Sequence, residues 1–182
     1  GRVDENKNHE MLIRAFAKIA EDFPEYQLLI YGEGEKREEL QGLAKELGLE
    51  ERIHLPGNEE HVEEVLYRAR VFVLPSNTEG MPNTLIEAML LGTTVIATDC
   101  PCGGPAELIK QGENGLLSPV GDVEQMGENL RKVLQNPQEA DRMGRNAAQL
   151  RNLYQAKEVY GGWQAYLEGL MRDGKAAVMK ER

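Results

Sequence analysis

Short apolar runs alternate with amphipathic stretches along most of the chain. The apolar runs are rich in β-branched and aromatic residues and end at Gly, Pro, Asn or Ser, which is typical of buried strands. Between them, apolar residues recur at helical spacing, which predicts helices with one face on a core. The strands are predicted at 26–31, 52–55, 71–74, 94–98 and 116–118. The helices are predicted at 9–22, 35–47, 59–68, 83–91, 106–110, 122–135 and 138–151, with a helical tail at 155–171 and a frayed end at 172–182.

The alternation of strands and helices predicts an α/β fold. Such a chain forms a mainly parallel sheet with right-handed crossovers, as in a Rossmann-like three-layer sandwich. Its 182 residues are enough for one domain with a substantial core. Ligands of open α/β sheets bind at the carboxyl ends of the strands, so candidate chemistry is sought there.

The composition narrows the range of partners. The formal net charge of −10 disfavours nucleic acid and an anionic membrane surface. Cys100 and Cys102 form a lone C-x-C and the three histidines are scattered, so no zinc ligand set is predicted. No apolar run is long enough to span a bilayer, and two free thiols suit a reducing cytosol. We therefore expect a cytoplasmic protein without a metal site.

The loop 75–82, between the third predicted strand and a helix, carries the strongest candidate chemistry. Gly80 lets a ligand approach the backbone closely, and Pro82 suits the first turn of a helix. Free backbone amides at this point, helped by the helix dipole, predict an anion site. The amides belong to Gly80, Met81, Asn83, Thr84 and Leu85.

Two carboxylates, Glu79 and Glu87, frame this loop with seven residues between them. Carboxylates repel phosphate, but they accept strong hydrogen bonds from the hydroxyls of a sugar or a ribose. Phosphate in the middle and hydroxyls at both ends describe a nucleotide sugar. The alternative is an ordinary strand–helix turn with two glutamates on its surface.

The segment 79–87 resembles the E-x7-E signature of retaining glycosyltransferases of GT-B architecture, the large family four, also called group 1. The opening segment, Gly1 to Asn8, is similar to the same family's phosphate-binding G-R-(x)n-K stretch. Matching stretches follow one another in the family's order, and they cover most of the chain up to the last helices. They lie at 1–16, 26–34, 52–57 and 71–121.

The resemblance implies that residues 1–182 are the carboxyl-terminal, donor-binding half of such an enzyme. It implies catalytic roles for Arg2, Lys7 and Glu79: the two cations would hold the donor's diphosphate, and Glu79 would hold the hydroxyls of the transferred sugar. Glu87 would bind the ribose hydroxyls. The donor would be a nucleotide diphosphate sugar, with UDP the first choice, and no cofactor would be required.

Further positions acquire roles through the same resemblance. Gly32 would make a tight turn that lines the donor pocket, and Gly57 would lie near the nucleotide base. The pattern that begins at Asp99 and continues through Gly103-Gly104-Pro105 is similar to family members that handle UDP-linked amino sugars. The transferred group is therefore expected to be a hexose or an N-acetylhexosamine.

The family's domain usually has one more strand, immediately before Gly1 and Arg2. Rossmann order places that strand in the middle of the sheet, between 26–31 and 71–74, so its absence is expected to leave a gap or to force compensation. The amino-terminal acceptor domain would be a partner outside this chain. Contact with the inner face of the membrane, where present, would come through that missing half, and the isolated fragment is expected to be inactive.

Other functions remain in consideration. A non-catalytic nucleotide or nucleotide-sugar binding module would show the same donor site. The sequence Gly32-Glu33-Gly34 favours a dinucleotide-binding oxidoreductase only weakly, because Arg37 stands where the third glycine belongs and acidic residues would oppose a pyrophosphate. A glycosidase-like carboxylate pair is rejected, since nothing in the family's pattern requires a covalent nucleophile.

Overall fold

The computed structural model describes residues 1–152 and 155–180. The strands are β1 Leu28–Tyr31, β2 Ile53–Gly57, β3 Phe72–Leu74, β4 Val95–Asp99 and β5 Leu116–Pro119. The helices are α1 His9–Ala17, α2 Arg37–Glu46, α3 Val62–Arg68, α4 Asn83–Leu91, α5 Gly104–Leu108, α6 Val123–Gln135, α7 Pro137–Ala147 and α8 Ala156–Lys180, with a 3₁₀ helix at Ala148–Asn152. The predicted α/β fold and its five strands are confirmed.

The described strands form two sheets, both parallel. β1 pairs with β2, with Leu28 opposite Ile53. The second sheet has the order β3-β4-β5, with Phe72 opposite Val95. The single sheet expected from the sequence is therefore divided, and the division falls between β1 and β3, where Rossmann order would put a further strand.

One hydrophobic core lies under both sheets. It includes Ile30 and Ile53 from the first sheet, Ile96 and Leu116 from the second, and Ile13 from α1. Helix α1 packs against α2 and α6, whereas α3 packs against α4. The two groups of helices are those of a three-layer arrangement, and the shared core holds the two sheets in one compact unit, residues 1–148.

Helix α1 ends at Ala17, five residues before the end that periodicity predicted. Residues 18–22 form turns instead. Arg52 stabilises them, because its guanidinium donates hydrogen bonds to the carbonyls of Ala20 and Phe23 and of Tyr26 beyond them. These long-range bonds satisfy carbonyls of the turn and of the chain that follows it.

The second compact unit starts at Gln149, and α8 is its main element. The prediction that residues 172–182 are frayed is wrong as far as Lys180, because α8 continues to that residue; 181 and 182 lie outside the described residues. Trp163 in α8 is 61% exposed, and its ring meets Tyr166 edge to face.

Candidate active site

The loop 75–82 leaves the carboxyl end of β3 and enters α4. Ser76 is fully buried, whereas Met81 is 63% exposed. The amide of Leu85 donates to the Pro82 carbonyl at 3.0 Å, so it is not free, contrary to expectation. In the described part of the chain, the amides of Asn83 and Thr84 have no backbone acceptor, which leaves them for an anion at the start of α4.

The opening segment, residues 1–8, crosses the carboxyl ends of both sheets. Val3 N donates to Glu33 O at 2.9 Å in the loop after β1. Asn77 N donates to Asn6 O at 2.7 Å in the loop after β3. The segment therefore ties the two sheets together at the edge where open α/β sheets bind ligands.

Glycines permit this crossing. A Cβ on Gly32, where φ is +130°, would lie 1.6 Å from the carbonyl oxygen of Gly1. A Cβ on Gly34 would lie 2.1 Å from the carbonyl oxygen of Val3. Both distances are far inside van der Waals contact, so side chains here would displace the opening segment. The chain bends at Gly32, and a role for this residue in lining a donor pocket stays a prediction.

The centre of the site is an ion pair between Lys7 and Glu79. The Lys7 Nζ lies 2.5 Å from Oε1 of Glu79, and the two side chains are only 20% and 12% exposed. Ser76 Oγ donates to the same carboxylate oxygen at 2.7 Å. Among the described residues, the other oxygen of Glu79 has no hydrogen-bond donor, so it can accept from a ligand hydroxyl.

The structure does not bring Arg2 to this pair. Its side chain is 81% exposed, and its Nε lies 3.3 Å from Oδ2 of Asp4. The other oxygen of Asp4 accepts from the backbone amide of Lys7 at 3.0 Å. Asp4 thus connects the two cations of the segment, a role that sequence reasoning missed.

His9 does not add a third cation at neutral pH. Burial lowers its pKa to about 4, and the terminal amine and Lys7 push it in the same direction against Asp4. Its Nδ1 is buried without a hydrogen-bond partner in the described part of the chain. The imidazole is therefore neutral beside Lys7, and the charged side-chain cations near it are Lys7 and Arg2.

Glu87 is exposed on α4, one turn after Asn83 and on the same face. Among residues 1–152 and 155–180, no hydrogen bond or ion pair involves its side chain. The carboxylate is therefore available to a ligand that lies along this face. Glu79 differs from Glu87, because its carboxylate already contacts Lys7 and Ser76.

The loop after β4 and the first residue of α5 pack against Gly80. A Cβ on Gly104 would lie 1.8 Å from the Gly80 carbonyl oxygen, so only glycine fits there. Burial raises the pKa of the Cys100 thiol, against hydrogen bonds with the backbone of Glu79 and the side chain of Thr98. The loop that suggested amino-sugar specificity is thus a wall of the Glu79 site.

Sequence reasoning proposed Lys7 and Glu79 as site residues but did not name the polar residues that contact them or their backbone, namely Asp4, Asn8, Ser76 and Asn77. For Ser76 and Asn77 a signal was available, because short polar residues just after a strand readily bond to nearby backbone. In the described ranges, no group of three His, Cys, Asp or Glu side chains could hold a metal ion. Nor is any helix there both long and apolar enough to cross a bilayer.

Residues 1–150 match the family model for glycosyl transferases group 1. The chain is 37% identical, over 136 residues, to an N-acetylgalactosaminyltransferase of Campylobacter jejuni that acts on a diphospho-undecaprenol-linked saccharide; the match covers 75% of this chain and 36% of that protein. The present chain spans less than half of the length of each curated relative with which it was compared.

Solved structures show the same fold. Sucrose-phosphate synthase from Thermosynechococcus elongatus superposes with a TM-score of 0.81 at 30% identity, over 96% of this chain and 44% of that one. Anabaena HepE in complex with UDP-glucose superposes with a TM-score of 0.76 at 26% identity, over 83% and 43%. Together with the family model, these likenesses show that the chain belongs to the group 1 family of glycosyl transferases.

Proposed function

We propose that this chain is the donor-binding half of a retaining glycosyltransferase that uses a UDP-sugar. The observation that carries the proposal is the Lys7–Glu79 pair at the carboxyl edge of the sheets, beside the free amides at the start of α4. A phosphate-binding cation and a hydroxyl-binding carboxylate in contact suit the junction between a diphosphate and a sugar.

Lys7 is proposed to offset the negative charge that grows on the leaving diphosphate. Stabilisation of charge by a preorganised group is often the largest catalytic contribution. Arg2 would join it by leaving Asp4, which its exposure permits. The free amides of Asn83 and Thr84 would take a phosphate, as helix amino termini do.

The two carboxylates are proposed to bind hydroxyls. The free oxygen of Glu79 would accept from a hydroxyl of the transferred sugar, while Lys7 and Ser76 hold the other oxygen. Glu87 would accept from the ribose, four residues along α4 from Asn83. Gly32, Gly80, Met81, Pro82 and Leu85 would line the donor site through their backbone.

The transferred group is proposed to be a hexose or an N-acetylhexosamine. Support comes from the loop 99–104, which packs on Gly80, and from the Campylobacter relative named as an N-acetylgalactosaminyltransferase. HepE, solved with UDP-glucose, supports UDP as the nucleotide. No cofactor beyond the donor enters the proposal.

The partner required for transfer is proposed to be an amino-terminal acceptor domain. The chain spans less than half of its relatives, so a non-catalytic nucleotide-sugar binding module is the second candidate. The protein is proposed to work in the cytoplasm, with any membrane contact made through the acceptor half. Transfer and donor hydrolysis, measured with both halves present, distinguish the two candidates: a module binds the donor and transfers nothing.

Calorimetric titration tests the donor site. We expect the chain to bind UDP and UDP-N-acetylglucosamine, and Lys7→Ala to weaken both by about tenfold, the size of one lost charge-assisted bond. Lys18→Ala is the matched control, because Lys18 lies outside the site and forms an ion pair with Glu124, with 2.6 Å between the two charged groups. Absence of UDP binding, or an equal loss in both variants, would contradict the proposal.

With both halves present, the role of Lys7 in the reaction itself becomes measurable. A group that stabilises the transition state more than the bound donor affects kcat more than the dissociation constant. Lys7→Ala should lower kcat by about a hundredfold or more. A near-normal kcat with weaker donor binding would reduce Lys7 to a phosphate anchor.

A further inference from the structure

The loop after β3 and the opening segment are joined by hydrogen bonds that centre on Asn77. Its backbone N donates to Asn6 O at 2.7 Å, and its side-chain Nδ2 donates to Glu5 O at 3.0 Å. Its Oδ1 accepts from Nδ2 of Asn8 at 2.9 Å. One residue thus binds the residues on both sides of Lys7.

The bonds of Asn77 set the path of the segment that carries Lys7. Asn8 is held in the left-handed conformation, with φ at +46°, while its Oδ1 caps α1 by accepting from Met11 N. Non-glycine residues rarely adopt this conformation, so it persists only where neighbours hold it. The side-chain amide of Asn77 is one of those neighbours, since its Oδ1 accepts from Nδ2 of Asn8.

Asn77 joins the opening segment to the loop after β3 at the carboxyl edge of the sheets. Lys7 comes from that segment, and Glu79 comes from the loop after β3. A side chain as long as lysine meets a fixed carboxylate reliably only when its backbone is also fixed.

We propose that Asn77 is a positioning residue that acts through Lys7: it fixes residues 5–8 so that the Lys7 ammonium stands on Glu79. Asn77 itself need not touch the donor. The inference deepens the proposed function and rests on it only for the effect on UDP binding. Its structural consequence, the contact between Lys7 and Glu79, can be measured without any ligand.

The first measurement is NMR of the side-chain ammonium of Lys7 in ¹⁵N-lysine-labelled protein, assigned through Lys7→Arg. In the wild-type chain, Glu79→Gln should shift this signal, because it removes the charge that the ammonium contacts. In the Asn77→Ala background, Glu79→Gln should no longer shift it. An undiminished shift in that background would overturn the inference.

The second measurement is a double-variant cycle on UDP affinity. Asn77→Ala should weaken UDP binding by about tenfold, and adding it to Lys7→Ala should cause little further loss, because both act through one ammonium. Asn146→Ala, which removes an amide bond to Glu113 O elsewhere on the surface, should leave affinity unchanged. Independent, multiplying losses for Asn77 and Lys7 would overturn the inference.

The two measurements separate this inference from the proposed function. If the wild-type chain binds no UDP while Asn77→Ala detaches Lys7 from Glu79, the proposed function fails and the positioning role holds. Asn77→Ser is the second variant in case Asn77→Ala does not fold. Its shorter side chain cannot reach both Glu5 and Asn8, so the same loss of the Lys7 shift is expected.

Discussion

Replacing Lys7 by Met tests how firmly the central ion pair is built into the fold. Methionine keeps the length and apolar stem of lysine and removes the charge. Glu79 would then remain only 12% exposed, with Ser76 as its hydrogen-bond donor and no cation. A carboxylate left in that setting loses its main compensation for burial.

The burial of the pair sets the magnitude. Exposed ion pairs contribute about 0–1 kcal/mol, and breaking a fully buried one costs about 3–5 kcal/mol. The Lys7–Glu79 pair is mostly but not fully buried and keeps the Ser76 bond, so we expect Lys7→Met to lower the free energy of unfolding by about 2 kcal/mol. Adding Glu79→Gln should recover part of this loss, because no uncompensated charge remains.

Urea denaturation followed by circular dichroism measures the effect, with the slope against urea checked for two-state behaviour. Lys18→Met is the matched control, since the Lys18–Glu124 pair is nearly as short, at 2.6 Å, but its side chains are 45% and 74% exposed. That variant should lose less than about 0.5 kcal/mol. If Lys7→Met costs no more than Lys18→Met, the pair is a surface contact and the reasoning from its burial is refuted.

Three more predictions concern residues around the pair. Because burial lowers the pKa of His9 to about 4, below the value near 6.5 of an unfolded histidine, its contribution to stability is complete above pH 6.5 and is lost as the pH falls towards 4. The loss should reach about 3 kcal/mol, and His9→Gln should flatten this part of the curve of urea midpoint against pH; an unchanged curve would place the titration elsewhere. Glu87→Ala should weaken UDP binding by about 1.5–3 kcal/mol and weaken 2′-deoxy-UDP binding less, as measured by calorimetry. Equal losses for the two nucleotides would mean that Glu87 does not bind the 2′-hydroxyl. Gly104→Ala should lower both the melting temperature and UDP affinity, because its Cβ would meet the Gly80 carbonyl at 1.8 Å, whereas Gly42→Ala, in open space on α2, should stabilise the fold by about 1 kcal/mol; a Gly104→Ala protein with wild-type affinity would contradict the close packing.

The sequence correctly indicated elements whose identity depends on local pattern. The runs that became β3 and β4 are apolar and β-branched, and α4 begins directly after Pro82 as expected. The predicted end of α1 was wrong: residues 18–22 form turns, and Arg52, far along the chain, donates to the carbonyls of Ala20 and Phe23. The amide of Leu85 was expected to be free, but the first turn of α4 uses it.

The sequence by itself determined the α/β order and the strand, loop and helix that carry Glu79 and Glu87, because periodicity and turn chemistry are properties of neighbours in the chain. The roles expected for the cations of the opening segment came from the family resemblance alone. Only the tertiary structure decided that Lys7 meets Glu79 while Arg2 turns to Asp4. Lys7 and Glu79 are 72 positions apart, and their contact follows from how the two sheets bring the opening segment and the loop after β3 to one edge. The hydrogen bonds of Asn77 to the opening segment and the close approach of Gly104 to Gly80 also depend on that edge. An asparagine or a glycine acquires such a role only from the backbone that folding places against it.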